Sequence, residues 1–341
     1  MSATTSTEAA VRVECVRFRG AGGVEVIEPG EVEVRDPGWG EVQVEIAAAG
    51  LNRADLLQRR GLYPAPAGAP PDVPGLELAG RVVARGPGAT LWADGAAVMA
   101  VVAGGAMARR ITVHERELMP VPAGVALVDA AAIPEVFLTA WDAVTRQAGL
   151  RAGEVVLIHA AGSGVGTAAI QLARAAGARP LATSRRAAKL TAAHDLGLAE
   201  ADGIVVDDGR FAAAVAERTG GRGAEVVLDG IGAAYFEENL RAAAVRGRVV
   251  LIGTLGGGAA GKTPIGMMLG KRLTVIGTVL RARPLEEKAA LAREAAAQLV
   301  PMFERGLLRP VIDQVVPMRE LAAAHARMEA DDNVGKLVLA W

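Results

Sequence analysis

The chain has 341 residues, about half of them hydrophobic, and its 37 basic and 38 acidic side chains leave a net charge of −1. Charges of both signs are spread along its length, which excludes a basic stripe for nucleic acid and a charged patch for a membrane surface. A single cysteine, Cys15, excludes an intrachain disulfide and any zinc cluster built from cysteines, and fits a reducing compartment.

The length exceeds one typical core and predicts two domains. Residues 1–10 are small and polar, without the basic and apolar regions of a signal peptide, and are expected to be disordered. From 11 to 49 apolar residues alternate, as at Val42, Val44 and Ile46, and are broken at Pro29-Gly30 and Asp36-Pro37-Gly38. This is the pattern of short antiparallel strands with one buried face. A turn or two of helix is predicted at 52–60, with Asp55 and Gln58 as cap and surface residues. The proline-rich stretch 61–74 cannot form regular structure. Further strands are predicted at 76–84, 96–102 and 108–113.

After Pro122 the texture changes. Segments 129–133 and 134–147 read as helical, and from Glu154 strands (155–159, 179–183, 203–206, 225–229, 247–252) alternate with helices (165–176, 187–196, 211–219, 236–242). Strands that are apolar throughout, alternating with helices, predict a parallel sheet covered on both faces. The uncharged run 155–173 is nearly long enough to span a membrane. His159, Ser163, Gln171 and three glycines make a buried strand and helix the better account, and a soluble cytoplasmic protein is expected. A further strand is predicted at 272–279 and an amphipathic helix at 285–304. The mixed texture then returns with strands at 311–316 and 336–340 around a helix at 318–330. This order predicts an α/β protein in which a β-rich domain, residues 1–129 and 278–341, is interrupted by a doubly wound nucleotide-binding domain, residues 130–277.

The turn between the strand at 155–159 and the helix at 165–176 is the strongest chemical signal. A helix that starts directly after such a turn aims unpaired N–H groups and the positive end of its dipole at the turn, which favours phosphate. In the G-x-G-x-x-G frame the three positions are Ala161, Ser163 and Gly166, so only the last glycine is kept. A plain glycine-containing β-α turn stays open as the alternative. Cofactor choice turns on the end of the next strand, where NAD enzymes place a carboxylate for the ribose 2′-OH. This chain instead has Thr183, Ser184, Arg185 and Arg186, followed by Lys189, donors suited to the 2′-phosphate of NADPH. A helix cap at Ser184 with solvated arginines is the alternative. Four histidines, His114, His159, His194 and His325, stand at no ligand spacing, so no metal site is expected. Cys15 reads as a core residue and His159 as a satisfied structural histidine.

The segments NRADLLQRRGLY (52–63), PGLELAG (74–80), GPG (86–88), IPE (133–135), LTA (138–140), GSGVGTAAIQ (162–171) and NVGK (333–336) carry a resemblance in one colinear order. The chain resembles the medium-chain dehydrogenase/reductase superfamily, and within it the zinc-free quinone oxidoreductases that include zeta-crystallin, especially the tumour-suppressor-inducible type. The resemblance implies a GroES-like substrate domain built from both chain ends, an inserted Rossmann domain, and an active-site cleft at their junction. It also implies NADPH as hydride donor and a homodimer formed through the Rossmann sheet edge near 272–279; an ordinary edge strand in a monomer is the alternative. Residues 162–166 (Gly162, Ser163, Gly164, Val165, Gly166) would hold pyrophosphate. Lys189 matches a phosphate-binding lysine, while Ser184, Arg185 and Arg186 match less cleanly. A tyrosine that relatives place near the next strand end is Val206 here. At the nicotinamide end the resemblance implies Thr139, Gly253, Leu255, Leu280, Asn333 and Lys336. For the acceptor, Tyr63 and then Asn52 are the candidates, since tyrosine supplies a flat apolar face and a phenol donor to a quinone carbonyl. An enone or 2-enoyl-thioester reductase, and a non-catalytic NADPH-binding structural or sensor protein, are the alternative functions.

Overall fold

The computed structural model describes residues 10–261 and 263–341. Residues 1–9 of the segment expected to be disordered lie outside the described residues, and Ala10 opens the first strand. The chain divides into two units: Met1–Glu135, Arg281–Gly306 and Ile312–Trp341 form one, Val136–Leu280 and Leu307–Val311 the other.

In the first unit the alternating pattern becomes sheet. Strands Ala10–Phe18 and Ile27–Arg35 pair antiparallel as a separate hairpin. A seven-stranded sheet runs in the order Ile312–Pro317, Lys336–Ala340, Glu41–Leu51, Glu77–Arg85, Ala97–Val101, Leu118–Pro120, with Arg110–His114 also paired to Glu41–Leu51. Strand Glu41–Leu51 and the C-terminal strand therefore meet in one sheet, with Leu337 opposite Leu51 and Val338 opposite Gly50. Period-two alternation sends Val42, Val44, Ile46, Leu78, Leu337 and Leu339 into the core, all at most 1% exposed. The outer pair Ile312–Pro317 and Lys336–Ala340 runs parallel, and helix Leu321–Glu329 is the crossover that parallel strands need. The proline-rich stretch contains neither helix nor strand.

The second unit is a six-stranded parallel sheet, Gly203–Val205, Arg179–Ser184, Val155–Ile158, Ala224–Asp229, Ala243–Leu251, Thr274–Gly277. In chain order this is 3-2-1-4-5-6, the doubly wound Rossmann arrangement, whose order reverses beside Val155–Ile158. Val156, Leu157, Ile158, Val226 and Val227 are fully buried although neighbours point to opposite faces, because helices cover both sides. The uncharged run becomes strand Val155–Ile158 and helix Gly164–Ala175. Among the described residues no helix is long and apolar enough to cross a membrane.

Three local expectations change. The helix predicted at 285–304 is two helices, Leu285–Gln298 and Val300–Glu304, because Pro301 has no N–H to continue the ladder and fits only a first turn. Segment 134–147 starts as α-helix Pro134–Trp141 and continues as a π-helix, Asp142–Gln147. Helix Ile265–Lys271 lay unseen in the sequence because Gly266 and Gly270 lower its helical propensity.

Gly80 marks a tight crossing, since a Cβ there would overlap the carbonyl oxygen of Glu45 and lie 2.9 Å from Cγ1 of Val44. Gly80→Ala should destabilise the protein by about 1–3 kcal/mol without changing its fold, the usual cost of overpacking. Urea unfolding measures this, and a midpoint equal to wild type would contradict it.

Candidate functional site

The second unit places the predicted cofactor residues 162–166, 184–186, 189, 253 and 255 at the carboxyl ends of its parallel strands, where open α/β sheets bind ligands, while Asn333 and Lys336 belong to the first unit. The turn after Val155–Ile158 bends through Ala160 at φ 55°, and Ser163 caps helix Gly164–Ala175 by accepting the Gly166 N–H at 3.0 Å. A Cβ on Gly166 would overlap the carbonyl oxygens of Ala160 and Ala161, so this third glycine is required by close helix–strand packing. Gly162 is needed for another reason: a Cβ there would lie 2.7–3.0 Å from the aliphatic stem of Lys189. The lysine stem thus lies along the turn. At the next strand end Ser184 is buried and accepts the Arg186 N–H at 3.1 Å, while Arg185 and Arg186 are exposed. No carboxylate stands in the segment from Thr183 to Lys189. The turn and these strand ends fit a nicotinamide dinucleotide. Gly253 is half-buried, Leu255 exposed and Leu280 buried, while Thr139 lies on helix Pro134–Trp141.

A buried polar chain holds these strand ends in place. Asp229 accepts the N–H groups of Ile231 at 2.6 Å and Gly232 at 3.1 Å, and the Asn239 amide at 2.8 Å. Asn239 must then present its oxygen to His159 Nε2 at 2.7 Å, which makes Nε2 the donor. Burial holds the imidazole neutral, so Nδ1 accepts the Thr183 hydroxyl at 2.8 Å. Thr183 therefore spends its hydroxyl on His159, which is the structural histidine that the sequence indicated. Val206 is buried in the core, and the aromatic residue nearby is Tyr235, whose ring packs on His159 and Phe211 and whose phenol lies within reach of the Arg185 charge.

In the first unit Asn52 and Lys336 come together around a residue not counted among the candidates, Glu77. Lys336 donates to the Leu51 carbonyl at 2.7 Å and to Asn52 Oδ1 at 2.7 Å, and pairs with Glu77 Oε1 at 2.5 Å. Asn52 Nδ2 donates to the same Glu77 oxygen at 2.9 Å, and Glu77 Oε2 accepts the backbone N–H of Glu135 at 2.8 Å. The three ammonium protons of Lys336 are thereby used within this unit, so it positions Asn52 and Glu77. Asn333 donates to the Gly335 carbonyl at 2.8 Å, shaping the turn into strand Lys336–Ala340.

Asp55 and Gln58 are not surface residues. Asp55 is fully buried and accepts the N–H groups of Asn52 at 2.8 Å and Gly75 at 3.1 Å, so it caps helix Arg53–Arg59 from inside. Gln58 receives Arg281 at 2.6 Å. Arg281 is 3% exposed, also donates to the carbonyls of Ala103 at 2.7 Å and Tyr63 at 3.3 Å, and stacks its guanidinium 5.1 Å from the centre of the Tyr63 ring. Tyr63 is half-buried, held by this cation, and burial raises its phenol above the ordinary range. Glu135 completes the cluster. Its Oε2 is buried and has no hydrogen-bond partner. Burial, then the charge of Glu77, pushes its carboxyl up to about 8, and burial pushes Asp55 up to about 6. Among the described residues no group of three or more His, Cys, Asp and Glu could hold a metal ion. Glu77 and Glu135 sat inside motifs read from the sequence, but only burial and pairing show their roles.

Raised carboxyls stabilise the fold below the unfolded carboxylate range, and lose that contribution as pH rises through the folded values. The contribution of Asp55 and Glu135 to stability should therefore fall from about pH 4 to about pH 8, by at most about 1.4 kcal/mol per pH unit for each proton. Glu135→Gln should flatten the upper part of this slope in chemical unfolding curves. A slope equal to wild type between about pH 6 and about pH 8 would show that Glu135 titrates normally.

Two family models match the chain, the alcohol dehydrogenase GroES-like domain over residues 38–123 and the zinc-binding dehydrogenase domain over residues 164–297. The chain is 34% identical over 330 residues to a quinone oxidoreductase of Pseudomonas aeruginosa, covering 95% of this chain and 98% of that one. It is 36% identical over 304 residues to the spectinabilin polyketide synthase system protein NorB of Streptomyces orinoci, covering 88% of this chain but 13% of that protein. The chain thus spans only a small part of this relative. Among solved structures, an NAD-dependent alcohol dehydrogenase is 33% identical with a TM-score of 0.85, covering 96% of this chain and 99% of that one. The CurK enoyl reductase is 27% identical with a TM-score of 0.84 and the same coverage. A mycobacterial protein complexed with NADPH is 27% identical with a TM-score of 0.85, covering 96% of this chain and 100% of that one. With its doubly wound sheet, its β-rich partner unit and a relative matching along nearly the whole of both chains, the protein belongs to the medium-chain dehydrogenase/reductase superfamily, in its zinc-free quinone oxidoreductase branch.

Proposed function

We propose that this protein is a zinc-independent oxidoreductase that uses NADPH to reduce small quinones. The observation that carries the reading is Tyr63, a half-buried aromatic face with a phenol, held in place by the buried Arg281 guanidinium. A flat acceptor can stack on the ring while the phenol donates to its carbonyl oxygen. When bound, NADPH supplies the hydride. Residues 162–166 would hold its pyrophosphate, and Ser184, Arg185, Arg186 and Lys189 the 2′-phosphate. Thr139, Gly253, Leu255 and Leu280 would fix the nicotinamide; in the first unit Asn333 shapes the turn before strand Lys336–Ala340 and Lys336 holds Asn52. A quinone is already a strong electrophile, so proximity of ring to nicotinamide supplies most of the catalysis. The Pseudomonas aeruginosa relative and the NADPH-bound neighbour support this reading, while the NAD-dependent neighbour makes coenzyme preference the point to test.

A second reading, reduction of an enone or enoyl thioester, is favoured by Glu135, because carbon protonation needs a placed acid, and by the enoyl reductase neighbour. Steady-state rates with benzoquinones, naphthoquinones, enones and crotonyl thioesters, each with NADPH and NADH, separate the two. Quinones with NADPH should be fastest, and a large preference for the thioester would remove the quinone assignment. Replacing Arg185, Arg186 and Lys189 together by alanine should raise KM for NADPH by about tenfold or more, the loss of one or two charge-assisted contacts, and leave KM for NADH nearly unchanged. Tight NADPH binding with no acceptor turned over would instead indicate a structural or sensor protein.

We also read the protein as cytoplasmic and homodimeric. The sheet edge Thr274–Gly277 lies in chain order beside exposed Ile265, Leu269 and Val279, which are 55–73% exposed, and uncovered apolar edges favour pairing. Light scattering should give the mass of two chains, and Leu269→Glu should shift it toward one; a monomeric wild type would end this reading.

A further inference from the structure

We propose that Glu135 is held as a neutral carboxylic acid and is the proton donor to the acceptor. The inference rests on the reading that this site delivers hydride to a carbonyl-activated acceptor.

The donors around Glu135 are already committed. Lys336, from strand Lys336–Ala340, spends its protons on Leu51, Asn52 and Glu77. The Asn52 amide faces Glu77 and the Gly50 carbonyl, and Arg281 faces Ala103, Tyr63 and Gln58. Glu77, from strand Glu77–Arg85, takes the Glu135 backbone N–H, which brings a second carboxyl to within a side-chain length. Asp55, from helix Arg53–Arg59, adds a third. Buried Asp55 and Glu77 and the buried Oε2 of Glu135 thus share a region with two buried cations, Lys336 and Arg281. Two carboxylates balance those cations, and Oε2 of the remaining carboxyl, Glu135, is buried with no hydrogen-bond donor.

A buried carboxyl in that position keeps its proton, because ionisation would leave an uncompensated charge. Glu135 lies in the first turn of helix Pro134–Trp141, whose dipole favours the anion by at most about 1 kcal/mol, under one pKa unit. That is too little to reverse a carboxyl raised to about 8. Tyr63, the remaining group that senses the Glu135 charge, has a phenol raised by burial and so holds its proton more tightly than the acid does. Glu135 is the stronger acid of the two.

The step balances. The acceptor takes a hydride, its π electron pair moves to the carbonyl oxygen, or to the α carbon of an enone, and the Glu135 O–H bond breaks as the new O–H or C–H bond forms. The acceptor is reduced by two electrons, the cofactor is oxidised, and the Glu135 carboxylate regains its proton from solvent. A neutral acid also suits an acceptor that becomes anionic, since a carboxylate in the same place would oppose the charge forming on the oxygen.

The test combines infrared spectra with kinetics on wild type, Glu135→Gln and Glu135→Asp. Glutamine keeps the volume and neutrality of the acid, so folding and NADPH binding, read by fluorescence titration, should hold. The wild-type minus Glu135→Gln spectrum should contain the C=O stretch of a carboxylic acid that disappears between about pH 7 and about pH 9. Turnover should fall by about 10²-fold or more in Glu135→Gln, lose its solvent isotope effect and its decline at high pH, and recover in part in Glu135→Asp. A wild-type rate and pH profile in Glu135→Gln, while wild type reduces the acceptor panel, would overturn the donor role and leave the proposed function standing. Absence of the acid band at about pH 6 would overturn the neutral state. Failure of wild type to reduce any acceptor would remove the proposed function and the donor role together.

Discussion

The ammonium of Lys336 is the point on which the first unit depends. Burying a lysine costs several kcal/mol unless its protons are all matched, and here a backbone carbonyl, an amide oxygen and a carboxylate match them. Those three acceptors come from positions more than 250 residues earlier in the chain, so one charge fixes the C-terminal strand against the cap of helix Arg53–Arg59 and the strand that starts at Glu77. The arrangement also decides what is left over. With Asn52 and Glu77 oriented inward and their bonding capacity largely used, Oε2 of Glu135 meets a negative neighbour and no donor. The same low-dielectric setting that strengthens the Lys336–Glu77 pair therefore makes a neutral Glu135.

Arg281 plays the corresponding part for Tyr63. Its guanidinium is buried, yet its hydrogen bonds go to two carbonyls and a glutamine rather than to a carboxylate. A cation so placed balances Asp55 at a distance and fixes the tyrosine through both its backbone and its ring. The helix that carries Asp55, Gln58 and Arg59 is short, and its buried polar residues are better understood as the frame of a site than as helix surface.

In the second unit the constraint is steric before it is electrostatic. Gly166 is needed because the helix starts against the carbonyls of Ala160 and Ala161, and Gly162 because the Lys189 stem lies across the turn. Loss of the first two fingerprint glycines to Ala161 and Ser163 is tolerated since Ser163 caps the helix instead. The chain from Asp229 through Asn239 and His159 to Thr183 joins three adjacent strand ends, so the loops that follow those strands rest on a fixed polar base.

The sequence by itself determined the classes of element, their alternation and the position of the glycine-rich turn before helix Gly164–Ala175. Each of these is written locally, in period-two or helical spacing, in proline and glycine breaks, and in a missing carboxylate after one strand. It also singled out Asn52, Tyr63 and Lys336, because their segments resemble a family. Tertiary structure alone decided which polar residues are buried together. Glu77, Glu135, Asp55 and Arg281 look like ordinary charged residues in a chain rich in them, and no local pattern tells a solvated carboxylate from one that has lost its water. That difference arises when strands and a helix distant in sequence close over the same small volume, where the number of cations and hydrogen-bond donors is fixed and one carboxyl goes without.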